Sequence, residues 1–238
     1  MILFCLPYAG GSEAVYYDWR KYLDPSIHFM PVELKGRGRR FNEAFYKDLD
    51  DAVNDILTQI KPHITHDAYA IFGHSMGCLL AFELYYKISL ENLRKPMHMF
   101  FSGQAAPCAN KIRKKLYILP DREFIEEVTA LGGIPKELLE NKELLELIME
   151  RLRNDFRITE NYTYKERGQN IECGMTVFNG KNDNITLEEL LLWKSHGSNG
   201  VQIHRFSGGH FFINKNMKSV VSIINSELSK YSYRSETI

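Results

Sequence analysis

The segment that decides the fold is residues 68–88, AYAIFGHSMGCLLAFELYYKI. Ala68 to Phe72 form a short apolar run typical of a buried strand, and Met76 to Ile88 are mostly apolar over the length of a helix. Between them stands Gly73-His-Ser-Met-Gly77, which matches G-x-S-x-G. In a strand–turn–helix setting this motif predicts a sharp turn that presents the Ser75 hydroxyl at the edge of a sheet. Ser75 is therefore a candidate nucleophile, and the alternative is a tight turn with an incidental serine.

Outward from this segment, strand-like and helix-like runs alternate along the chain. Further strands are predicted at Ile2 to Leu6, Ile27 to Leu34, Met97 to Ser102, Met175 to Asn179 and Val201 to Phe206. Helices are predicted at Asp48 to Ile60, Leu187 to Trp193 and Asn216 to Leu228. This alternation indicates an α/β fold with a mostly parallel central sheet flanked by helices. The polar tail Ser229 to Ile238 is expected to fray.

The alternation stops between about Pro107 and Tyr164. No buried strand is evident there, and helices are predicted at Asp121 to Leu131 and at Pro135 to Phe156. Asp121 is a candidate N-cap and Pro135 a candidate first-turn residue. We therefore expect residues 1–238 to form a single domain that carries a helical insertion at about 107–164.

A serine hydroxyl needs a base to take its proton, and that base needs an acid to orient it. After a nucleophile turn of this kind, the chain order is acid and then histidine. Asp183 is the only carboxylate between residues 172 and 188 and follows a predicted strand, although it is also suited to capping the next helix. His210 follows the last strand in Ser207-Gly-Gly-His210, whereas the other histidines lie in or near the wrong elements. His74, inside the turn, is expected to point away from Ser75 and to support the turn.

Two backbone N–H groups are needed to stabilise a tetrahedral oxyanion. One is expected from the residue after the nucleophile, Met76, and the other from the loop after the first strand. That loop is Pro7-Tyr-Ala-Gly-Gly-Ser12, whose glycines permit close approach of the backbone, and we place the second donor at Ala9. The alternative for Gly10-Gly11 is an ordinary loop.

Composition excludes several other classes. Basic and acidic residues both number 30, so a neutral chain has no general attraction to nucleic acid or to an anionic membrane. The N-terminal apolar run ends at Pro7, and no stretch approaches the ~18 apolar residues of a membrane span. Four scattered cysteines lack metal-ligand spacing and predict reduced thiols in a cytoplasmic protein. A monomer is the default expectation.

Seven segments, in this order along nearly the whole chain, resemble the type II thioesterases of nonribosomal peptide and polyketide synthesis, members of the α/β-hydrolase superfamily. The segments are Leu6-Pro-Tyr-Ala-Gly-Gly-Ser12 with Trp19, Gly36-Arg-Gly-Arg39, Gly73-His-Ser-Met-Gly77, Ser102-Gly103 through Ala106-Pro107, Leu131-Gly-Gly-Ile-Pro135, Leu152-Arg-Asn-Asp-Phe156 through Tyr162, and Gly209-His210-Phe211. Lys35, Asn182 and Tyr8 depart from the family pattern and leave the candidate site residues in place.

The resemblance implies an α/β-hydrolase fold in which the insertion at about 107–164 is a lid over an acyl channel. It implies an enzyme that hydrolyses aberrant or stalled acyl groups from the phosphopantetheine arm of carrier proteins. Ser75 would attack the thioester, His210 would take its proton and Asp183 would orient the imidazole. No metal and no organic cofactor would be needed.

Two other functions are compatible with these residues. An esterase or acyltransferase acting on small free esters or acyl-CoA would have the same three side chains. A catalytically silent carrier-binding module would need none of them. The basic run Lys35 to Arg40 has two interpretations as well: a docking site for an acidic carrier or the pantetheine phosphate, or a loop pinned by its arginines or simply a solvated face.

Overall fold

A six-stranded, entirely parallel sheet forms the centre of the computed structural model, which describes residues 1–109, 114–134 and 142–232. The strands are β1 (Ile2–Leu6), β2 (His28–Pro31), β3 (Tyr69–His74), β4 (His98–Ser102), β5 (Gly174–Gly180) and β6 (Val201–Phe206). Their order across the sheet is β2-β1-β3-β4-β5-β6. The carboxyl ends of all six strands therefore lie at one edge, which is where ligands bind in open α/β sheets.

Helices cover both faces of this sheet. They are α1 (Leu49–Ile64), α2 (Met76–Leu90), α3 (Asp121–Ala130), α4 (Lys142–Glu160), α5 (Leu187–Leu191), α6 (Phe212–Lys215) and α7 (Met217–Ser232), with 3₁₀ helices at Glu13–Lys21, Gly38–Arg40 and Leu192–His196. None of the helices in the described ranges is long and apolar enough to cross a membrane.

The alternation of side chains along β1 divides the core into two layers. Phe4 and Leu6 pack with α1 and α2 on one face, whereas Leu3 and Cys5 pack with Trp19 and α7 on the other. Every residue of β1, β3 and β4 is buried, as expected for parallel strands covered on both sides. This burial explains why these strands are continuous apolar runs in the sequence.

Several predicted boundaries were wrong. The strand predicted over Ile27 to Leu34 is limited to His28–Pro31. Val32 N–H still donates to the Cys5 carbonyl at 3.0 Å, and Val32 and Leu34 then join the core cluster that includes α1. The last helix begins at Met217 rather than Asn216 and is preceded by the separate short helix α6. It also continues past Leu228 into the tail that was expected to fray, where Lys230 pairs with Glu227 and Tyr231 contacts His98.

The described part of the insertion is helical, as predicted. Asp121 is the first residue of α3, after Pro120 at the N-cap position, rather than the N-cap itself. The helix predicted over Pro135 to Phe156 is α4, which extends to Glu160; residues 135–141 lie outside the described part of the chain. A separate hydrophobic cluster joins α3 to α4, formed by Phe124, Val128, Ile134, Met149 and Leu152. That residues 1–238 form a single domain stays a prediction.

Candidate active site

Ser75 lies on the connection between β3, which ends at His74, and α2, which begins at Met76. Its backbone has φ +55° and ψ −115°, a conformation that a serine rarely adopts and that needs support from its surroundings. That support includes two backbone hydrogen bonds: Ser75 N–H donates to the Ser102 carbonyl at 2.8 Å, and the Ser75 carbonyl accepts from Cys78 N–H at 2.9 Å. The strained turn of a nucleophile elbow is thus present.

Close backbone packing explains both glycines of the motif. A Cβ on Gly73 would lie 2.0 Å from the Gly77 carbonyl oxygen, and a Cβ on Gly77 would lie 2.2 Å from the carbonyl oxygen of Leu6. The first turn of α2 therefore rests directly on the end of β1. This contact brings the loop that begins at Pro7 next to Ser75.

His210 and Asp183 meet Ser75 at the same edge of the sheet. His210 Nε2 lies 2.9 Å from Ser75 Oγ, and His210 Nδ1 lies 3.0 Å from Asp183 Oδ2. The other oxygen of Asp183 accepts the Asn184 N–H at 2.7 Å. The three side chains form a continuous hydrogen-bonded chain in which the imidazole can accept the serine proton.

The loops after β5 and β6 are held together by backbone hydrogen bonds, which sets the distance from Asp183 to His210. Lys181 N–H donates to the Phe206 carbonyl at 2.7 Å, and Asn182 N–H donates to the Gly208 carbonyl at 3.0 Å. The helix that follows is capped by the Thr186 side chain. The alternative role of Asp183 as a helix cap was therefore wrong.

Ala9 and Met76, the residues expected to supply the oxyanion donors, line the same cavity as Ser75 and His210. Among the described residues, the N–H groups of Ala9 and Met76 donate to no other protein group. Met76 is also the first residue of α2, where the helix presents the positive end of its dipole. Both N–H groups are thus available to an oxygen bound beside Ser75.

The cavity has a volume of about 430 Å³ and is roofed by the insertion helices. Its apolar lining includes Val128 and Leu131 at the end of α3, Phe156 of α4, and Phe211 beside His210. Charged groups also reach it, and Lys114 pairs with Glu127 across 2.7 Å. A flexible apolar group fits such a lining better than a strongly charged one does.

His74 occupies the turn as a buried, neutral group. Its Nδ1 lies 2.9 Å from Ser102 Oγ, so it links the ends of β3 and β4 and does not bond Ser75, as predicted. Burial holds the pKa of His74 well below its usual value, and the His210 ring, with its centroid 5.2 Å away, lowers it further. A protonated His210 would therefore not face a second positive charge.

Sequence reasoning missed a buried ion pair beside this site. Arg37 and Asp155 are both 0% exposed, and two guanidinium nitrogens donate to the two carboxylate oxygens at 2.7 Å each. Arg40 likewise pairs with Asp55 and Glu43. The interpretation of the basic run as an arginine-pinned loop is confirmed for both residues, which leaves neither guanidinium free to dock a partner. The only signal for Asp155 in the sequence was its place in a segment that resembled the thioesterases.

The fold and the arrangement of Ser75, His210 and Asp183 define the class of protein: an α/β hydrolase with a serine at its nucleophile turn. Residues 1–228 match the sequence model of the thioesterase domain. The chain therefore belongs to the thioesterase family, and the predictions of fold and family are confirmed.

Several of the similar proteins are named for biosynthetic pathways. The linear gramicidin dehydrogenase LgrE of Brevibacillus parabrevis is 38% identical over 235 residues, which cover 97% of this chain and 89% of LgrE. The crystal structure of ClbQ from the colibactin NRPS/PKS pathway has a TM-score of 0.93 and 36% identity, and covers 98% of both chains. The RedJ thioesterase of the prodiginine pathway in Streptomyces coelicolor has a TM-score of 0.88 and 30% identity, over 95% of this chain and 85% of RedJ.

One of these names points to another chemistry. Dehydrogenases that bind dinucleotides commonly carry G-x-G-x-x-G after the first strand. The sequence of this chain contains no such motif, and the loop after β1 reads Pro7-Tyr-Ala-Gly-Gly-Ser12. That loop packs on the first turn of α2, beside Ser75. The residues of this chain are those of a hydrolase.

Proposed function

We propose that this protein is a type II, editing thioesterase. It hydrolyses aberrant or stalled acyl groups from the phosphopantetheine arm of carrier proteins in a nonribosomal peptide or polyketide pathway. The observation that carries the proposal is the hydrogen-bonded chain from Ser75 Oγ through His210 to Asp183, within a thioesterase-family fold. The similarity to ClbQ, from the colibactin NRPS/PKS pathway, and to the RedJ thioesterase supports the choice of substrate.

The reaction begins when Ser75 Oγ attacks the thioester carbonyl carbon and its proton passes to His210 Nε2. Asp183 accepts the hydrogen bond from Nδ1–H and so keeps Nε2 free to act as the base. The negative charge on the substrate oxygen is stabilised by the N–H groups of Ala9 and Met76, and losing one such donor typically costs about 3–4 kcal/mol of barrier.

Collapse of this intermediate breaks the C–S bond, and His210 returns its proton to the departing pantetheine sulfur. The acyl group is now an ester of Ser75. A water molecule then gives a proton to His210 Nε2 and attacks that ester, and a second tetrahedral intermediate releases the carboxylic acid and restores the Ser75 hydroxyl. The cycle balances with water as the only co-substrate, and no step calls for a metal or an organic cofactor.

The insertion at about 107–164 acts as the lid in this proposal. Its helices α3 and α4 supply Val128 and Phe156 to the roof of the cavity that holds Ser75. The acyl chain would lie under this roof while the pantetheine arm remains toward solvent. A cavity of about 430 Å³ with a mixed lining suits an enzyme that accepts several acyl groups.

Carrier proteins are the proposed partners, with no role for nucleic acid or membrane. We infer a cytoplasmic location, supported by the free thiols at Cys5, Cys78, Cys108 and Cys173, which suit a reducing compartment. A monomer stays the expectation for the oligomeric state. Light scattering on the purified protein would test it.

The decisive experiment presents a panel of acyl-carrier thioesters to the wild type and to Ser75→Ala, with mass spectrometry of the carrier as the readout. We expect the wild type to release several acyl groups and Ser75→Ala to release none. Ser198→Ala, which changes an exposed serine that does not line the cavity, should behave as the wild type does.

The same experiment separates the rival functions. If a free ester or acyl-CoA outcompetes every acyl-carrier, the protein is an esterase or acyltransferase of small substrates. If the folded wild type binds carriers, releases no acyl group and takes no fluorophosphonate label at Ser75, it is a silent carrier-binding module.

A further inference from the structure

We propose that Asp155 is a positioning residue for the thioesterase reaction: from helix α4 it fixes the loop that presents the Ala9 N–H, while Arg37 holds Asp155 in place. The inference rests on the proposed function, because Ala9 matters only if an oxyanion forms. The central contact is a hydrogen bond of 2.7 Å from the Gly10 N–H to Asp155 Oδ2. Gly10 directly follows Ala9 in the chain.

The loop around Ala9 is a tight turn with two possible orientations of its central peptide. Gly11 N–H donates to the Tyr8 carbonyl at 2.9 Å, so Ala9 and Gly10 are the two central residues of a β-turn. Gly10 has φ +79°, the value of the third residue in a type II turn. In a type I turn the peptide between Ala9 and Gly10 is rotated by about half a turn, which would aim the Gly10 N–H away from its present direction.

A carboxylate at Asp155 selects between these two orientations. The negative charge accepts the Gly10 N–H in the type II form, and a charge-assisted hydrogen bond of this kind is stronger than a neutral one. The carboxylate therefore fixes the dihedral angles on both sides of that peptide. The Ala9 N–H belongs to the preceding Tyr8–Ala9 peptide, which the two turn types orient alike, so Asp155 acts on this N–H by holding the whole turn in place against α4.

Arg37 holds this carboxylate in place. Its two terminal nitrogens donate to the two oxygens of Asp155, and one of them also donates to the Gly11 carbonyl at 3.0 Å. Its Nε donates to the Lys35 carbonyl at 3.2 Å. The guanidinium thus hydrogen-bonds both Asp155 and the loop. Asp155 accepts from the Gly10 N–H and Arg37 donates to the Gly11 carbonyl, so the two members of one ion pair hold adjacent residues of the loop.

The same turn of α4 also contributes to the acyl cavity. A Cβ on Gly10 would lie 2.5 Å from Leu152 Cδ2, so the loop rests directly on the helix. Asp155 is followed by Phe156, which lines the cavity with Thr159 one turn further on. The acyl group and the oxyanion donor are therefore positioned by one helical segment.

The test compares Asp155→Asn with the double variant Arg37→Met/Asp155→Leu. The amide keeps the size of the side chain and loses its charge. The double variant removes both charges together, so no unpaired ion is left buried if the single change prevents folding. Each is assayed with an acyl-carrier thioester and for affinity toward an alkylboronic acid, which forms a tetrahedral adduct on the serine hydroxyl.

We expect kcat to fall by about 10²–10³-fold in the double variant, the loss that follows removal of one oxyanion donor. Affinity for the boronic acid should fall with kcat, while KM changes little, because the tetrahedral adduct uses the donor and the bound thioester does not. Asp155→Asn should lie between the double variant and the wild type.

The matched control is Tyr162→Phe. The Tyr162 hydroxyl donates to Glu83 at 2.7 Å and anchors the chain just beyond α4 without touching the loop. It should lower thermal stability and leave kcat and boronic acid affinity unchanged. Folded Asp155 variants that keep the wild-type kcat and boronic acid affinity would overturn the inference, whereas an inactive wild type would overturn the proposed function instead.

Discussion

Replacing Gly77 by alanine tests whether the elbow and the oxyanion loop must touch. The added Cβ would lie 2.2 Å from the Leu6 carbonyl oxygen and 2.8 Å from the Pro7 carbonyl oxygen. Both are backbone atoms at the end of β1, so neither can rotate away as a side chain would. The first turn of α2 and the loop that carries Ala9 must therefore separate.

The required movement sets the size of the effect. Restoring an ordinary carbon–oxygen contact from 2.2 Å means a shift of about 1 Å, and a misplacement of that size can lower kcat by about 10²-fold. Overpacking of this kind typically costs about 1–3 kcal/mol of folding free energy. For a domain of this length each kcal/mol lowers Tm by about 2–4 °C. Gly77→Ala should therefore remain folded at room temperature and turn over slowly.

Steady-state hydrolysis of an acyl-carrier thioester and differential scanning fluorimetry measure the two quantities. The control is Gly168→Ala, because within the described part of the chain no heavy atom lies within 4 Å of the Cβ that it adds. Gly168→Ala should match the wild type in kcat and in Tm. A Gly77→Ala protein with wild-type Tm and kcat would show that the elbow does not need this close contact, and would refute the argument.

Three further outcomes follow from other contacts. Asp183→Asn should lower kcat by about 10⁴-fold with KM little changed, because an amide N–H aimed at Nδ1 holds the imidazole in the wrong tautomer; near-normal turnover would remove Asp183 from the mechanism. Burial lowers the pKa of His98 to about 4. Between about pH 6.5 and pH 4 the histidine is therefore protonated in the unfolded chain and neutral in the folded one. The free energy of unfolding should fall by up to about 3 kcal/mol as the pH reaches 4. Urea unfolding at several pH values measures this loss, and His98→Gln should reduce it; an unchanged pH dependence would contradict the assignment. Iodoacetamide should label Cys108 before Cys173. The Cys108 sulfur lies 3.2 Å from His196 Nε2, whereas burial raises the pKa of Cys173 to about 12. Mass spectrometry measures the order of labelling, and earlier labelling of Cys173 would contradict this prediction.

Local signals in the sequence were sufficient for the centre of the site. The G-x-S-x-G motif lies between a strand and a helix, and a continuous apolar run in the sequence predicts each of them. Asp183 and His210 follow the last two strands, and parallel strands end at the same edge of a sheet. Order along the chain therefore predicted which side chains would meet, and the structure brings them within 3.0 Å of their partners.

Boundaries that depend on tertiary contacts were not predictable in this way. Val32 and Leu34 have strand-like composition, yet they lie beyond the end of β2 at Pro31 and are buried in the core cluster that includes α1. The final helix likewise continues to Ser232, where contacts of Lys230 and Tyr231 extend it beyond its apolar face. In both places the apolar pattern reports burial correctly and leaves the backbone conformation to neighbours that are distant in the sequence.

The Arg37–Asp155 pair is the strongest case of a feature that a sequence hides, because its members are 118 positions apart among 30 basic and 30 acidic residues. Its function also follows from its energetics. A fully buried ion pair pays for desolvation that its own attraction roughly offsets, and replacing such pairs with apolar side chains is often neutral or stabilising by about 1–4 kcal/mol. Stability alone therefore gives little reason to bury this pair, whereas its hydrogen bonds to Gly10 and Gly11 give a geometric one. The two explanations separate in one protein. If the pair positions the loop, Arg37→Met/Asp155→Leu should hydrolyse thioesters more slowly even well below its Tm. A purely stabilising role predicts a lower Tm with kcat preserved below it.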